Sequence, residues 1–195
     1  MISSNASILI AGQNEQKLSF IEEGLREFGH DNLTITAGIS GLAAIVEQIQ
    51  PQAIIIEIGA SAKTVHDGVF QLCAILSLPM VMFVDSSTEA LTQSAVEAGV
   101  AAYIIDGLKK ERVKPILEMA ISRFEERSRM VSELENARNE LGDRKVIDRA
   151  KGFLMQSKGI SEEQAYRLMR KTAMDQNRKV RDIANNLILA ADLLK

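Results

Sequence analysis

Four short apolar runs, at residues 7–11 (SILIA), 53–58 (AIIIEI), 80–84 (MVMFV) and 102–105 (AYII), constrain this chain most. They are too short for ordinary helices and show no alternation of apolar with polar residues. Each therefore reads as a strand buried on both faces, the mark of a parallel sheet covered by helices. Amphipathic segments lie between them at 16–28, with Leu18, Ile21, Leu25 and Phe28 on one face, and at 41–50, 65–76 and 88–98. A weaker strand at 33–37 follows the Gly29-His30 break and completes a (βα)5 order. Parallel neighbours need right-handed crossovers, which predicts an α/β, flavodoxin-like doubly wound sheet.

The pattern changes from 109 to about 158. Alternate steps of four and three from Val113 give Val113, Leu117, Ala120, Phe124, Arg127, Val131, Leu134, Arg138 and Leu141, a coiled-coil seam with two polar interruptions. The part up to Phe124 also suits packing on the helix's own domain. Beyond it the other faces are too polar for packing all round, which predicts a parallel homodimer with Leu117, Phe124, Val131, Leu134 and Leu141 in its seam. The helix is expected to stop near Lys158-Gly159, where glycine suits a left-handed position. Ser161 opens the next helix, with Gln164 in the capping-box position and Glu162 and Glu163 favoured by the helix dipole. Its inner face reads Ala165, Leu168, Met169 and Thr172. After a turn at 175–177, Ile183, Leu187, Ile188 and Leu194 mark a third helix. Three parts result: an α/β domain over 1–122, a coiled-coil linker over 123–143 and an all-α three-helix bundle over 144–195.

Charge divides along the same line. Residues 1–143 hold 11 Lys/Arg against 20 Asp/Glu, net −9, while 144–195 hold 12 against 6, net +6. A basic module on an acidic body points to a polyanion partner, although a basic solvated face would look the same. No apolar run reaches the ~20 residues of a membrane span and no signal-peptide pattern opens the chain, which predicts a cytoplasmic protein. Cys73 sits in an apolar stretch and reads as core filler. His30 and His66 have no ligand-like neighbours and read as surface residues, and no phosphate-cradling glycine loop occurs. The expectation is a protein that is not an enzyme and uses no metal or cofactor.

Residues 6 to about 125 resemble the receiver domains of response regulators. The resemblance implies an acidic pair after the first strand that holds Mg²⁺, an Asp at the end of the third, a Ser/Thr after the fourth and a Lys after the fifth. Metal and lysine offset phosphoryl charge while the Asp attacks. This chain has Gly12 and Gln13 at the acidic pair, with Glu15 beyond them, Glu57 at the phosphoacceptor position, Val84 at the hydroxyl position and Asp106 at the lysine position. All four elements are altered, so the domain reads as a pseudo-receiver. Glu57 is either a mimic of a permanently charged state or a vestigial polar residue at a strand end.

The stretch from Arg144 to Ile188 closely resembles the ANTAR domain of antitermination regulators. Ala150-Lys151-Gly152, Leu154-Met155, Ser161-Glu162-Glu163-Gln164-Ala165, Leu168-Met169-Arg170, Met174, Asn177 and Ala184 fall in order. Pseudo-receiver, coiled coil and ANTAR domain together look like the AmiR/NasT family, most like its nitrate/nitrite-assimilation branch on the segments VMFVD and GVAAYIIDGL. The resemblance implies binding to leader-mRNA hairpins, so that no terminator forms, and a NasS-like nitrate/nitrite-sensing partner protein. Physically, Arg149, Lys151, Lys158, Arg170, Lys171, Arg178, Lys179 and Arg181 supply cations for phosphates, giving salt-dependent binding. With only Phe153 and Tyr166 aromatic, a broad base-stacking platform is not expected. Gly152 is expected to permit close approach of a helix or RNA. Lys151 and the turn region Arg170, Thr172, Met174, Gln176 and Asn177 form the expected specific site, with Asn177 as a plain helix cap the alternative. Composition alone leaves two rivals open: a DNA-binding regulator, and a dimeric protein-interaction module.

Overall fold

The computed structural model describes residues 6–59 and 63–193. The chain divides into two compact units, Met1–Ser128 and Arg129–Lys195.

In the first unit five strands, β1 (Ile8–Gly12), β2 (Leu33–Ala37), β3 (Ala53–Ile58), β4 (Met80–Val84) and β5 (Ala102–Ile105), form one parallel sheet in the order β2-β1-β3-β4-β5. Helices α1 (Glu15–Arg26), α2 (Leu42–Ile49), α3 (Lys63–Ile75) and α4 (Glu89–Ala98) alternate with them, and α5 (Lys110–Lys158) follows β5. Successive side chains on a strand point to opposite faces, and the continuous apolar runs therefore build two cores. Ile8, Ile10, Ile55, Val81 and Phe83 pack with Leu18, Ile21 and Leu25 of α1 and with Val113, Leu117, Ala120 and Ile121 of α5. Leu9, Ala11, Ile54, Ile56, Met80, Met82 and Val84 pack with residues of α2, α3 and α4 on the other face.

Leu117 is fully buried in the first of these cores, which removes it from the expected dimer seam. Phe124 is half-buried, and the seam residues that lie exposed on α5 are Val131, Leu134 and Leu141. The two histidines also depart from expectation. His66 lies buried against Phe70, ring centroids 6.1 Å apart, and His30 is buried where the Gly29 turn leads into β2. Phe28 is exposed, with the Lys114 ammonium 4.9 Å over its ring. Burial pushes the Cys73 thiol up, against a smaller opposing pull from Arg127, and this makes it a poor nucleophile.

The second unit contains the rest of α5, then α6 (Glu162–Asp175) and α7 (Val180–Leu193). Helix α5 ends as the sequence predicts: Gly159 is left-handed (φ 64°) and its N–H donates to the Met155 carbonyl at 3.0 Å. Ser161 Oγ accepts from the Gln164 N–H at 3.3 Å, while the Gln164 side chain accepts from the Ser161 N–H at 2.9 Å, closing the capping box. The core is Ala150 and Leu154 of α5, Ala165, Met169 and Ala173 of α6, and Ile183 and Ala184 of α7. The buried α6 stripe follows i, i+4, i+8. Leu168, expected on the inner face, lies off that stripe and is 41% exposed. Leu194 lies outside the described residues.

With so many alanines, this core depends on few large side chains. Leu154→Ala is expected to cost about 3 kcal/mol, a large share of a small unit's stability. Urea unfolding followed by helical circular dichroism would register the loss as a lower midpoint.

Candidate nucleic-acid interface and the altered receiver site

At the C-terminal edge of the sheet, β3 carries Glu57 into a cleft of about 440 Å³ whose lining includes Lys17, Phe20, Asp85 and Asp106. The Glu57 carboxyl is 1% exposed, and charge at that depth requires partners. Its Oε2 accepts from the Gln13 and Asn14 N–H groups, both at 3.2 Å, and Oε1 lies 3.2 Å from Lys17 Nζ. Lys17 also pairs with Asp85. Asn14 caps α1 through its side chain, which accepts from the Lys17 N–H at 3.2 Å, so the turn that offers amides to Glu57 also aims Lys17 at it.

Gly12 fits this arrangement sterically. A Cβ there would sit 2.8 Å from Glu57 Cβ and 3.0 Å from the Glu57 carbonyl oxygen, with no room for the carboxylate a working receiver carries. Val84 is buried and offers no hydroxyl. Asp106 is left-handed (φ 46°) and presents an acid where the receiver lysine would stand. Tyr103 on β5 is held by Ser87, Oη to Oγ 2.9 Å.

In the second unit the structure sorts the candidate cations into two groups. Arg149 reaches both Asp192 carboxylate oxygens at 3.1 Å, and Lys151 lies 2.5 Å from Asp148 and 2.7 Å from Glu162. Arg181 pairs with Asp143 at 2.8 Å. The Lys151 ammonium is held above its ordinary value by the hydrogen bonds to Asp148 and Glu162, and Asp148 is held below its own by Lys151. By contrast Lys158, Arg170, Lys171, Arg178 and Lys179 are exposed and form no salt bridge among the described residues. Four of these five surround the α6–α7 turn. Lys158 belongs to the other end of α6, roughly 20 Å away at ~1.5 Å per residue.

The turn is tightly built. Gln176 caps α6 with its N–H on the Thr172 carbonyl, Asn177 is left-handed (φ 50°), and the Arg178 N–H returns to the Ala173 carbonyl at 2.9 Å. Asn177 is thus the reversal residue of the turn and lies before the α7 cap. The Thr172 hydroxyl donates to the Leu168 carbonyl of its own helix at 3.0 Å, and Met174 is 72% exposed. Arg178 and Lys179 add their charge to the positive end of the α7 dipole, which makes the turn an anion-attracting corner. A Cβ added at Gly152 would meet nothing within 4 Å, so no helix approaches it closely. It borders a cleft of about 680 Å³ where Glu140, Asp143, Asp148 and Glu162 outnumber Arg144 and Lys151. That acidic lining suits phosphate poorly.

The ANTAR domain family model matches residues 135–188. The chain is similar to the transcriptional regulatory protein PdtaR of Mycobacterium tuberculosis, 25% identical over 177 residues that cover 91% of this chain and 86% of that protein. It is also similar to the nitrate regulatory protein of Klebsiella oxytoca, 35% identical over 75 residues, 38% of this chain and 19% of that one. The sheet and its helices match the fold of a CheY-like response regulator receiver domain protein from Methanospirillum hungatei, with TM-score 0.52 and 15% identity over 63% of this chain and 98% of that one. The chain thus combines a receiver fold with an ANTAR domain, and in this arrangement it is similar to the ANTAR/NasT-like regulators.

Proposed function

We propose that this protein is an RNA-binding transcription antiterminator whose tail, residues 144–195, binds leader-mRNA hairpins and keeps a terminator from forming. The observation that carries this reading is the cluster of cations at the α6–α7 turn that form no ion pair among the described residues, inside the ANTAR match. Arg170, Lys171, Arg178 and Lys179 meet phosphates there, while Met174, Gln176 and Asn177 present a small surface to the loop bases. Lys151, braced by Asp148 on its own helix, joins α5 to α6 through its ion pair with Glu162.

The genes controlled are those of nitrate or nitrite assimilation, in keeping with the similarity to a nitrate regulatory protein. The protein acts in the cytoplasm, without enzymatic activity, as a homodimer paired through the exposed seam of α5. A NasS-like nitrate/nitrite-sensing protein controls it, and phosphorylation does not, in keeping with the altered residues around Glu57. Among the described residues no helix is long and apolar enough to cross a membrane.

The test is binding of the purified chain to a two-hairpin leader RNA and to duplex DNA of the same sequence across a salt series. Selective RNA binding that weakens steeply with salt is expected. Equal binding to both would replace this reading with a DNA-binding regulator, and binding to neither with a protein-interaction module.

A further inference from the structure

We infer that the Lys17 ammonium is a resident cation that takes the place of the receiver fold's divalent metal, so that the site stays assembled with neither metal nor phosphoryl group bound. The residues present do not fit a metal. Gly12 and Gln13 supply no carboxylate after β1; of the acids lining the cleft, Glu57 and Asp85 are already bridged by Lys17, and Asp106 does not complete a metal-holding group with them among the described residues. A carboxylate as deeply buried as Glu57 is costly without a counter-charge, and the cation at hand is Lys17 Nζ, 3.2 Å from Oε1. Lys109, the other cation lining the cleft, pairs with neither acid among the described residues.

Burial acts to lower the Lys17 pKa, but the hydrogen bond to Asp85 and the ion pair with Glu57 outweigh it and hold the group above the ordinary lysine value. The ammonium therefore stays charged throughout the neutral range. Being tethered to α1, it cannot be chelated or diluted away, and it joins α1 to the ends of β3 and β4. Nothing in this inference depends on what the tail binds.

The test uses the full chain. Paramagnetic broadening of the Gln13 and Asn14 amide signals reads Mn²⁺ arriving at Glu57, and thermal unfolding is compared in millimolar Mg²⁺ and in chelator. Wild type is expected to show no broadening and one Tm in both. Lys17→Met is expected to lower the Tm of the receiver domain by about 5–10 °C, and adding Glu57→Gln to recover most of that, because the uncompensated carboxylate is gone. Broadening at millimolar Mn²⁺, a wild-type Tm that rises with Mg²⁺, or an unchanged Tm in Lys17→Met would overturn the inference. Should Lys17→Met fail to fold, the wild-type titration decides alone: broadening refutes the resident cation, and its absence supports it.

Discussion

Changing Arg170, Lys171, Arg178 and Lys179 together to Ala is expected to weaken binding to a hairpin leader RNA on the order of 10³-fold at low salt, at ~1 kcal/mol for each lost phosphate contact. The slope of log affinity against log salt should flatten by about three, since each contact contributes roughly 0.7 to 0.9. These four side chains are exposed and make no ion pair among the described residues, so their removal leaves no carboxylate stranded. The matched control is Arg149→Ala with Arg181→Ala, which removes cations already engaged with Asp192 and Asp143. Filter binding or fluorescence anisotropy over a salt series separates the two sets. A salt slope flattened in the control by about half as much, in proportion to two charges removed against four, would mean that total charge, and not the turn, carries binding.

Replacing Val131, Leu134 and Leu141 with Asp is expected to yield a monomer whose affinity for a two-hairpin leader falls on the order of 10²–10⁴-fold, with single-hairpin affinity unchanged. All three are exposed on one stripe of α5, 48–61% by residue, so the charges enter solvent in the monomer and face one another only in a dimer. Leu117 has no place in this variant, because an Asp there would enter the receiver core. Sedimentation velocity and binding to one- and two-hairpin RNAs decide the matter. Unchanged two-hairpin affinity in a proven monomer would remove bivalency from the mechanism.

Most of the fold is legible in the sequence because its signals are local. The β-branched runs mark the five strands to within a residue, and the Ser161 box and Gly159 fix the α5–α6 junction. The receiver alterations are legible too, since they stand at fixed places relative to strand ends. The roles of Lys17 and Asp85 are not, because the contacts of Lys17 with Asp85 and with Glu57 bridge 68 and 40 positions and leave no periodicity to read. Charge counts likewise cannot tell a cation held by a carboxylate from one that is free. Arg149 and Arg170 look alike in sequence, and only the approach of α7 to α5 shows that Arg149 is engaged with Asp192. Leu168 misleads because a leucine on an amphipathic helix is assigned inward by default, whereas alanines at 165 and 173 around Met169 let the helices meet along a narrower stripe.

The fit of Gly12 against Glu57 makes the loss of phosphotransfer chemistry hard to reverse. An acid restored first at position 12 brings its Cβ to 2.8 Å from Glu57 Cβ and 2.9 Å from Glu57 Oε2. Shortening Glu57 to Asp first draws its carboxylate back from Lys17 and from the two amides that now hold it. Each single step back toward a working receiver therefore carries its own penalty, and a lone acid at position 12 or a lone Asp at position 57 is expected to loosen the domain without restoring phosphotransfer.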